Sequence, residues 1–376
     1  MRCGGDNDDD RHHRRIPCFE DIDKARWKRY YSDDDDEVDL DQPRSVLEAL
    51  HIARCDSIIQ YDPKKDARVF TRVCNINIAG FDLDRESKAG LGPLLKDATP
   101  ETMRFRATVS ANVISVKVIE SDWGYPVSIY GTVVARDIID FRCVSLFRRE
   151  REDPQIINSA EDMLTLTGPC RGLLVLDFIY FEFNLKVKGD PDEDFSKGVI
   201  EDRAFGNKPI TIDLPSRLSI VELVFQPVDC PVAASLLVNI LNGPPNAPFI
   251  GKISAGTRNI ETHIILYDGR ATKGNRILVG DGGSIPLSRN MVVVPSPRWY
   301  KIEGIFVHIC FFDDDEDEGT HVTILHPDEE HVCTHGPYEL QVKVAWNFIL
   351  SSPRAKHIGT RSFLLPPFYA CPNYNS

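Results

Sequence analysis

The sequence predicts an all-β fold, an internally duplicated antiparallel β-sandwich core of two packed β units behind a disordered acidic N-terminal tail. Three observations predict it. From Val69 onward apolar residues alternate or form short runs rich in β-branched and aromatic side chains, with Gly, Pro, Asp and Asn clusters every ten or so residues. Landmarks in the first half recur in the same order in the second, at an offset of about 120 residues. Ahead of both lies a stretch of charge blocks with too little apolar area to offset chain entropy.

That stretch, residues 1–43, alternates Asp6 and Asp8 to Asp10, then Arg11 to Arg15, then Lys24 to Arg29, then Asp33 to Glu37. The acids cancel the field of the Arg11 to Arg15 patch, so a solvated tail is expected rather than a nucleic-acid arm. Trp27, Tyr30 and Tyr31 are unusual in such a tail and suit a segment that folds on a partner. Residues 44–107 follow as a short helix, a strand and a linker, with Pro43 placed as a first-turn residue and Val46, Leu47 and Leu50 at helical spacing.

The first β repeat spans residues 108–228 and the second 229–350, with a C-terminal tail over 351–376. In and ahead of the first repeat, strands are expected at Val69–Ile78, Val113–Ile119, Val127–Ala135, Phe141–Phe147, Met163–Leu166, Gly172–Leu176, Phe181–Lys188 and Ser219–Gln226. In the second they are expected at Ala234–Leu241, Phe249–Ser254, Ile260–Tyr267, Met291–Val294, Ile302–Phe312, His321–Leu325 and Tyr338–Phe348. The duplication rests on paired landmarks. Ile114 to Ile119 matches Leu236 to Leu241, and Gly131 to Ala135 matches Gly251 to Ala255. The Leu166 to Leu174 stretch, with Arg171, matches Leu287-Ser288-Arg289-Asn290-Met291-Val292. Phe181 to Asp194 matches Gly304 to Glu318, and Val221-Glu222-Leu223 matches Tyr338-Glu339-Leu340.

Several of these strings also carry a family resemblance. Val116-Lys117-Val118, Tyr130 to Asp137, Leu146-Phe147-Arg148-Arg149, Leu164 to Pro169, Phe181 to Gly189, and the run from Leu287-Ser288-Arg289 to Trp346 resemble the grass-expanded plant family defined as domain of unknown function 6598. The resemblance covers roughly Ala111 to Leu350. It implies a plant source, in the grasses, and an all-β core, and it supplies no reaction and no catalytic residues. Some relatives are labelled ribosome-inactivating RNA N-glycosidases, which use a glutamate and an arginine three positions on. Glu101-Thr102-Met103-Arg104-Phe105 has that spacing but follows Pro100 and lacks a surrounding long helix, so it is a motif without its structural context.

Composition narrows the partners. A net charge of -13 over 376 residues makes nucleic acid an unfavoured partner, since the global field repels phosphate. The basic cluster Arg142, Arg148, Arg149 and Arg151 is interleaved with Glu150, Glu152 and Asp153 and reads as mixed-charge surface. No uninterrupted apolar stretch of about 18 residues predicts a membrane span. Met1 to Asp6 lacks the apolar core of a secretory signal, and ten scattered cysteines without a CxxC pair fit reduced thiols, so a cytoplasmic or nuclear location is expected.

Two clusters carry metal-ligand chemistry. Asp313, Asp315 and Asp317 alternate in an acidic run whose first-repeat counterpart holds Asp190, Asp192, Glu193 and Asp194, and calcium takes such oxygens. A solvated hairpin tip that blocks edge pairing has the same composition. His326, His331, Cys333 and His335, with His321, Asp328 and Glu329 nearby, have donors for zinc but no recognised ligand spacing, and surface histidines are the plainer reading. No G-x-S-x-G elbow, P-loop or dinucleotide-binding loop occurs. No catalytic residue, cofactor or small-molecule substrate is therefore assigned. The expected function is a non-enzymatic binding or regulatory module with a protein partner, against the RNA N-glycosidase and calcium-dependent surface-binding alternatives.

Overall fold

The computed structural model of the chain describes residues 51–76, 78, 82–176, 178–243, 251–257, 263–270, 283–296, 304–311, 320–324, 330–335 and 338–351. Residues 51–57 are helical and lead into a hairpin of β1 (Ile59–Asp62) and β2 (Ala67–Phe70). The N-terminal and C-terminal tails expected from sequence lie outside the described residues.

The first sandwich is built from β3 (Val109–Ser121), β4 (Val127–Arg136), β5 (Val144–Arg149), β6 (Gln155–Ile157), β7 (Leu173–Val175), β8 (Ile179–Val187), β9 (Glu193–Asp202), β10 (Ile210–Ser216) and β11 (Ser219–Asp229). One sheet has the order β10-β11-β3-β7, and the other β5-β4-β8-β9 with β6 beside β4. The second sandwich contains β12 (Pro231–Asn242), β13 (Gly251–Thr257), β14 (Ile264–Asp268), β15 (Met291–Pro295), β16 (Ile305–Phe311), β17 (Thr320–Ile324), β18 (Glu330–His335) and β19 (Tyr338–Phe348). Its sheets run β15-β12-β19-β18 and β14-β13-β16-β17. Matching β3 with β12, β4 with β13, β5 with β14, β7 with β15, and β8 through β11 with β16 through β19 turns each order of the first sandwich into the order observed in the second. All ladders are antiparallel.

The alternation in the sequence explains which face each strand buries. In β11, Val221, Leu223 and Phe225 point into the first core while Ile220, Glu222 and Val224 stay half-exposed, the period of two expected of a sheet with one covered face. In β3 the alternation fails, because Ser110, Asn112 and Ile114 are buried on the opposite face as well. The second sandwich covers that face. Ala107, Leu174, Val228, Ala233, Met291, Val293 and Ile349 form a separate apolar cluster at this seam.

Two expectations are corrected. The strand expected at Val69–Ile78 stops at Phe70, because the next turn is held instead by the side chain of Glu182, whose Oε1 accepts the Val73 N–H at 2.8 Å. Met163–Leu166 makes a single bridge to Lys117 and one bond from Leu164 N to Val116 O at 2.8 Å, with Leu164 and Leu166 anchored in the core, so it crosses the sandwich rather than pairing along it. A single helical turn, Pro100–Arg104, precedes the first sandwich.

Candidate functional site

The two sandwiches meet without a linker. β11 ends at Asp229 and β12 begins at Pro231, and the one residue between them, Cys230, turns the chain with φ 48°. Its N–H donates to Thr108 O at 2.8 Å, and its carbonyl accepts from Ser296 N at 2.9 Å. The Asn112 side chain copies a strand pairing across the seam, donating to Val293 O at 2.7 Å and accepting from Val293 N at 2.8 Å. Arg289 adds three bonds, to Ile265 O at 2.7 Å, Val113 O at 2.6 Å and Ile114 O at 2.9 Å. Because every one of these partners is buried or main-chain, the seam is a fixed contact rather than a hinge.

A strap, residues 89–92, lies along the end of β19. Asn347 Nδ2 donates to Gly92 O at 2.7 Å and Phe348 N to Pro93 O at 2.9 Å. A Cβ on Gly92 would sit 2.2 Å from Phe348 O, so this approach requires glycine. Between the strap, the loop before β7 and the end of β19 opens a cleft of about 560 Å³ including its mouth, lined by Ala89 to Gly92, Ile139, Arg171, Gly172, Ala233 and Phe348 to Leu350. Its walls are apolar side chains and glycine backbone from the strap and both sandwiches.

Among the described lining residues Arg171 is the only charged side chain, and it is already engaged. It is 2% exposed, and its guanidinium grips Asp137 with two bonds of 2.5 and 2.9 Å while also donating to Ser87 Oγ at 3.2 Å. Burial lowers the pKa of Arg171, but the hydrogen bonds and charge of Asp137 outweigh that and hold it above its ordinary value. Asp137 also accepts the Leu174 N–H at 2.8 Å, which fixes β7 against the cleft floor.

A smaller depression of about 290 Å³ is lined by Phe70, Val73, Cys74, Asn75, Tyr180, Val199 and Glu201. Burial pushes the Glu201 carboxyl up to about 7, opposed by a hydrogen bond from the Asn75 amide and by the charge of Arg203. Cys74 Sγ faces Asn75 Oδ1 at 3.6 Å. Among the described lining residues Cys74, Tyr180 and Glu201 are the ionisable side chains, with no histidine and no second carboxylate beside them.

Of the residues singled out from sequence, Asp313, Asp315, Asp317 and His326 lie outside the described residues. His331, Cys333 and His335 fall in β18, opposite Val342, Leu340 and Tyr338 of β19. Those three partners are buried in the second core, so the face shared by His331 and Cys333 is the inner face of an edge strand. Cys333 packs against the core, and burial pushes its thiol pKa up, away from the thiolate a metal requires. His321 belongs to the other sheet, in β17. Among the described residues no three His, Cys, Asp or Glu side chains form a group that holds a metal ion.

The first-repeat acidic loop is committed elsewhere. Asp192 accepts from Arg151 at 2.5 and 3.2 Å, Tyr130 Oη at 2.8 Å and Gly189 N at 3.0 Å, and these bonds, the Arg151 ones foremost, hold its pKa well below the usual carboxylate range. The basic cluster is likewise paired, Arg148 with Glu86 and Arg149 with Asp153. Glu101 and Arg104 sit in the turn Pro100–Arg104, where Met103 packs on the second core and Arg104 lies over the Phe105 ring at 5.7 Å. That turn lines neither depression.

A family model described as a domain of unknown function, DUF6598, matches residues 110–344, more than half of the chain. The chain belongs to the DUF6598 family. The DUF6598 match opens inside β3 and closes inside β19, taking in both sandwiches, Arg171 and Arg289, and leaving out the strap that forms one wall of the cleft. No curated protein matches the chain. Among solved structures, human GIVD cytosolic phospholipase A2 in complex with methyl gamma-linolenyl fluorophosphonate is similar at 7% identity with a TM-score of 0.20, over 65% of this chain and 33% of that one. A second structure of the same enzyme, with the inhibitor and terbium chloride, gives 7% identity and a TM-score of 0.19 over the same shares. The chain spans about a third of the length of these enzymes, and a likeness at that TM-score carries no argument about this one. No described helix is long and apolar enough to cross a membrane.

Proposed function

We propose that this DUF6598 chain is a non-enzymatic binding module whose seam cleft receives an extended apolar segment of a partner protein. One observation carries the reading: the cleft is concave and walled by apolar groups, and the only charged side chain among its described lining residues, Arg171, is already gripped by Asp137. Chemistry needs a positioned nucleophile or an acid and a base free to exchange a proton. Recognition needs shape and apolar area, with a few backbone groups to set direction, and a strap of small residues beside a strand end provides both. A reducing compartment, the cytosol or nucleus, suits the seven described cysteines, no two of which are joined by a disulfide.

The test is a photo-crosslinking amino acid placed at Leu91, 46% exposed on the strap, with the same group at Leu241, 46% exposed on β12, as control. A protein captured from Leu91 and not from Leu241, whose purified form then binds wild type and loses at least tenfold in affinity against Leu91→Asp, supports the reading. Equal capture from both positions, or an affinity indifferent to Leu91→Asp, sinks it.

A further inference from the structure

We propose that the segment received by the seam cleft enters as a β-strand, its main chain hydrogen-bonded to Leu91 of the strap on one edge and to Leu350, just past β19, on the other, with one of its carbonyls on Nε of Arg171. This mode of binding rests on the cleft reading above and specifies how the segment is held.

The strap and β19 form a ladder that stops early. They begin as an antiparallel pair, with Leu94 bridged to Asn347 and Phe348 N donating to Pro93 O at 2.9 Å. Continuing that register sets Gly92 opposite Ile349 and Leu91 opposite Leu350. Antiparallel ladders alternate hydrogen-bonded and non-hydrogen-bonded pairs, so after Pro93 and Phe348 the next bonded pair is Leu91 with Leu350. Contacts on the other side of the strand end give the same direction. Ile349 O accepts from Ala107 N and Ser351 N donates to Phe105 O, both at 2.7 Å, so those two residues turn these groups toward Phe105 to Ala107. Leu350, between them, turns its N–H and C=O the opposite way, toward the strap. Yet among the described residues neither Leu91 nor Leu350 forms a main-chain hydrogen bond. Both residues line the cleft, which opens where the ladder stops.

Arg171 leaves a further group open. A guanidinium has five N–H donors, and four are spent here: Nη1 on Asp137 and on Gly172 O, Nη2 on Asp137 and on Ser87 Oγ. The fifth, on Nε, is buried and has no partner. A buried donor without an acceptor is costly, and Arg171 borders the cleft, so an oxygen brought in there makes a bond that the chain itself does not supply. The amides and carbonyls of Leu91 and Leu350, with this guanidinium N–H, are set among apolar walls. That set matches the main chain of an extended peptide, which carries donors and acceptors on both edges. A hydrocarbon tail fills the same walls but has no donor for the carbonyls of Leu91 and Leu350. Strand conformation and apolar character, rather than particular side chains, therefore select the segment.

The experiment uses the full chain and a random peptide library displayed on phage. Peptides that bind wild type, and bind folded Leu91→Asp at least about tenfold more weakly, are synthesised with a single N-methyl group at each position in turn. Affinities are measured by calorimetry, and the Arg171 Nε–H signal is followed by NMR. The expected result is a loss of about tenfold at each of two neighbouring residues, one amide serving Leu91 O and the next Leu350 O, with the other positions tolerant. The Arg171 Nε–H signal should move downfield on binding. Tolerance of N-methylation at every position, sensitive positions three or four apart as on a helix, or an unmoved Arg171 signal overturns the strand and leaves the cleft reading standing. A library that yields no peptide sensitive to Leu91→Asp sinks the cleft reading itself, and the strand with it.

Discussion

Arg289 stands in the second sandwich where Arg171 stands in the first, two residues ahead of an edge strand, yet Arg171 pairs with a carboxylate of its own sandwich and Arg289 reaches across the seam. Arg171 has Asp137, the residue after β4. The residue at the same offset in the second repeat is Thr257, the end of β13, whose hydroxyl is buried without a hydrogen-bond partner. Without a carboxylate there, Arg289 donates to the carbonyls of Ile265, Val113 and Ile114, and burial pushes its pKa down to about 9. A single difference between repeats thus accounts for the cation that ties them together.

Arg289→Met should destabilise the chain by about 3 kcal/mol, since stranding buried acceptors costs about 1–3 kcal/mol each and relief of the buried charge returns part of it. Arg289→Lys should recover little, because one ammonium cannot follow two adjacent carbonyls as the guanidinium fork does. Urea unfolding measures both. An unchanged midpoint for Arg289→Met would mean that the seam does not depend on this side chain.

Glu182→Gln should be the costliest single-atom change in the first sandwich. Its carboxylate takes Arg136 at 2.8 Å, Arg72 at 3.2 Å and Val73 N at 2.8 Å, and Arg136 is fully buried. Breaking a buried pair from one side leaves an uncompensated charge and costs about 3–5 kcal/mol. Because Arg72 and Val73 belong to the segment after β2, amide exchange there should accelerate first; uniform acceleration across the sandwich would contradict the clamp.

How much of this was legible beforehand follows from what periodicity can report. The landmarks at Ile114 and Leu236, Gly131 and Gly251, and Val221 and Tyr338 fall in the matched strands β3 and β12, β4 and β13, and β11 and β19, because core positions constrain residue type most strongly. β9 and β10 escaped notice: their cores rest on few side chains, such as Phe195, Ile200 and Leu214, set among Glu193, Asp194, Lys197 and Asp213. Arg171 and Arg289 were visible as an echo, yet their different bonds were not, since those depend on Asp137 and Thr257 far away in sequence. The strap at Gly92 is a product of tertiary contact, which composition does not encode.

Glu201 predicts a pH dependence. Burial raises its folded-state pKa from the ordinary 4.5 to about 7, so the folded chain holds a proton that the unfolded chain releases. Its contribution to stability is fully present below about pH 4.5 and is lost as pH rises through about 7, a range worth up to about 3 kcal/mol. Glu201→Gln, which can still accept from Asn75, should flatten stability between pH 5 and 8 by that amount and be the more stable protein at pH 8. Parallel pH profiles for the two proteins would show that Glu201 stays ionised when folded.

Gly131→Ala tests the tightest approach within the first sandwich. Gly131 lies inside β4 with φ +114°, and an added Cβ would fall 2.2 Å from Asn184 O on the neighbouring β8. Both the left-handed backbone and the collision with main chain oppose the substitution, so the cost should exceed about 2 kcal/mol. Gly124 separates the two effects: its φ is +72°, but nothing lies within 4 Å of its added Cβ, so Gly124→Ala should cost only the backbone part, about 1 kcal/mol. Denaturant midpoints in the order wild type, Gly124→Ala, Gly131→Ala are expected. Equal midpoints for the two variants would mean that β4 and β8 separate to accept the methyl group and that the close approach contributes nothing to holding the sheet.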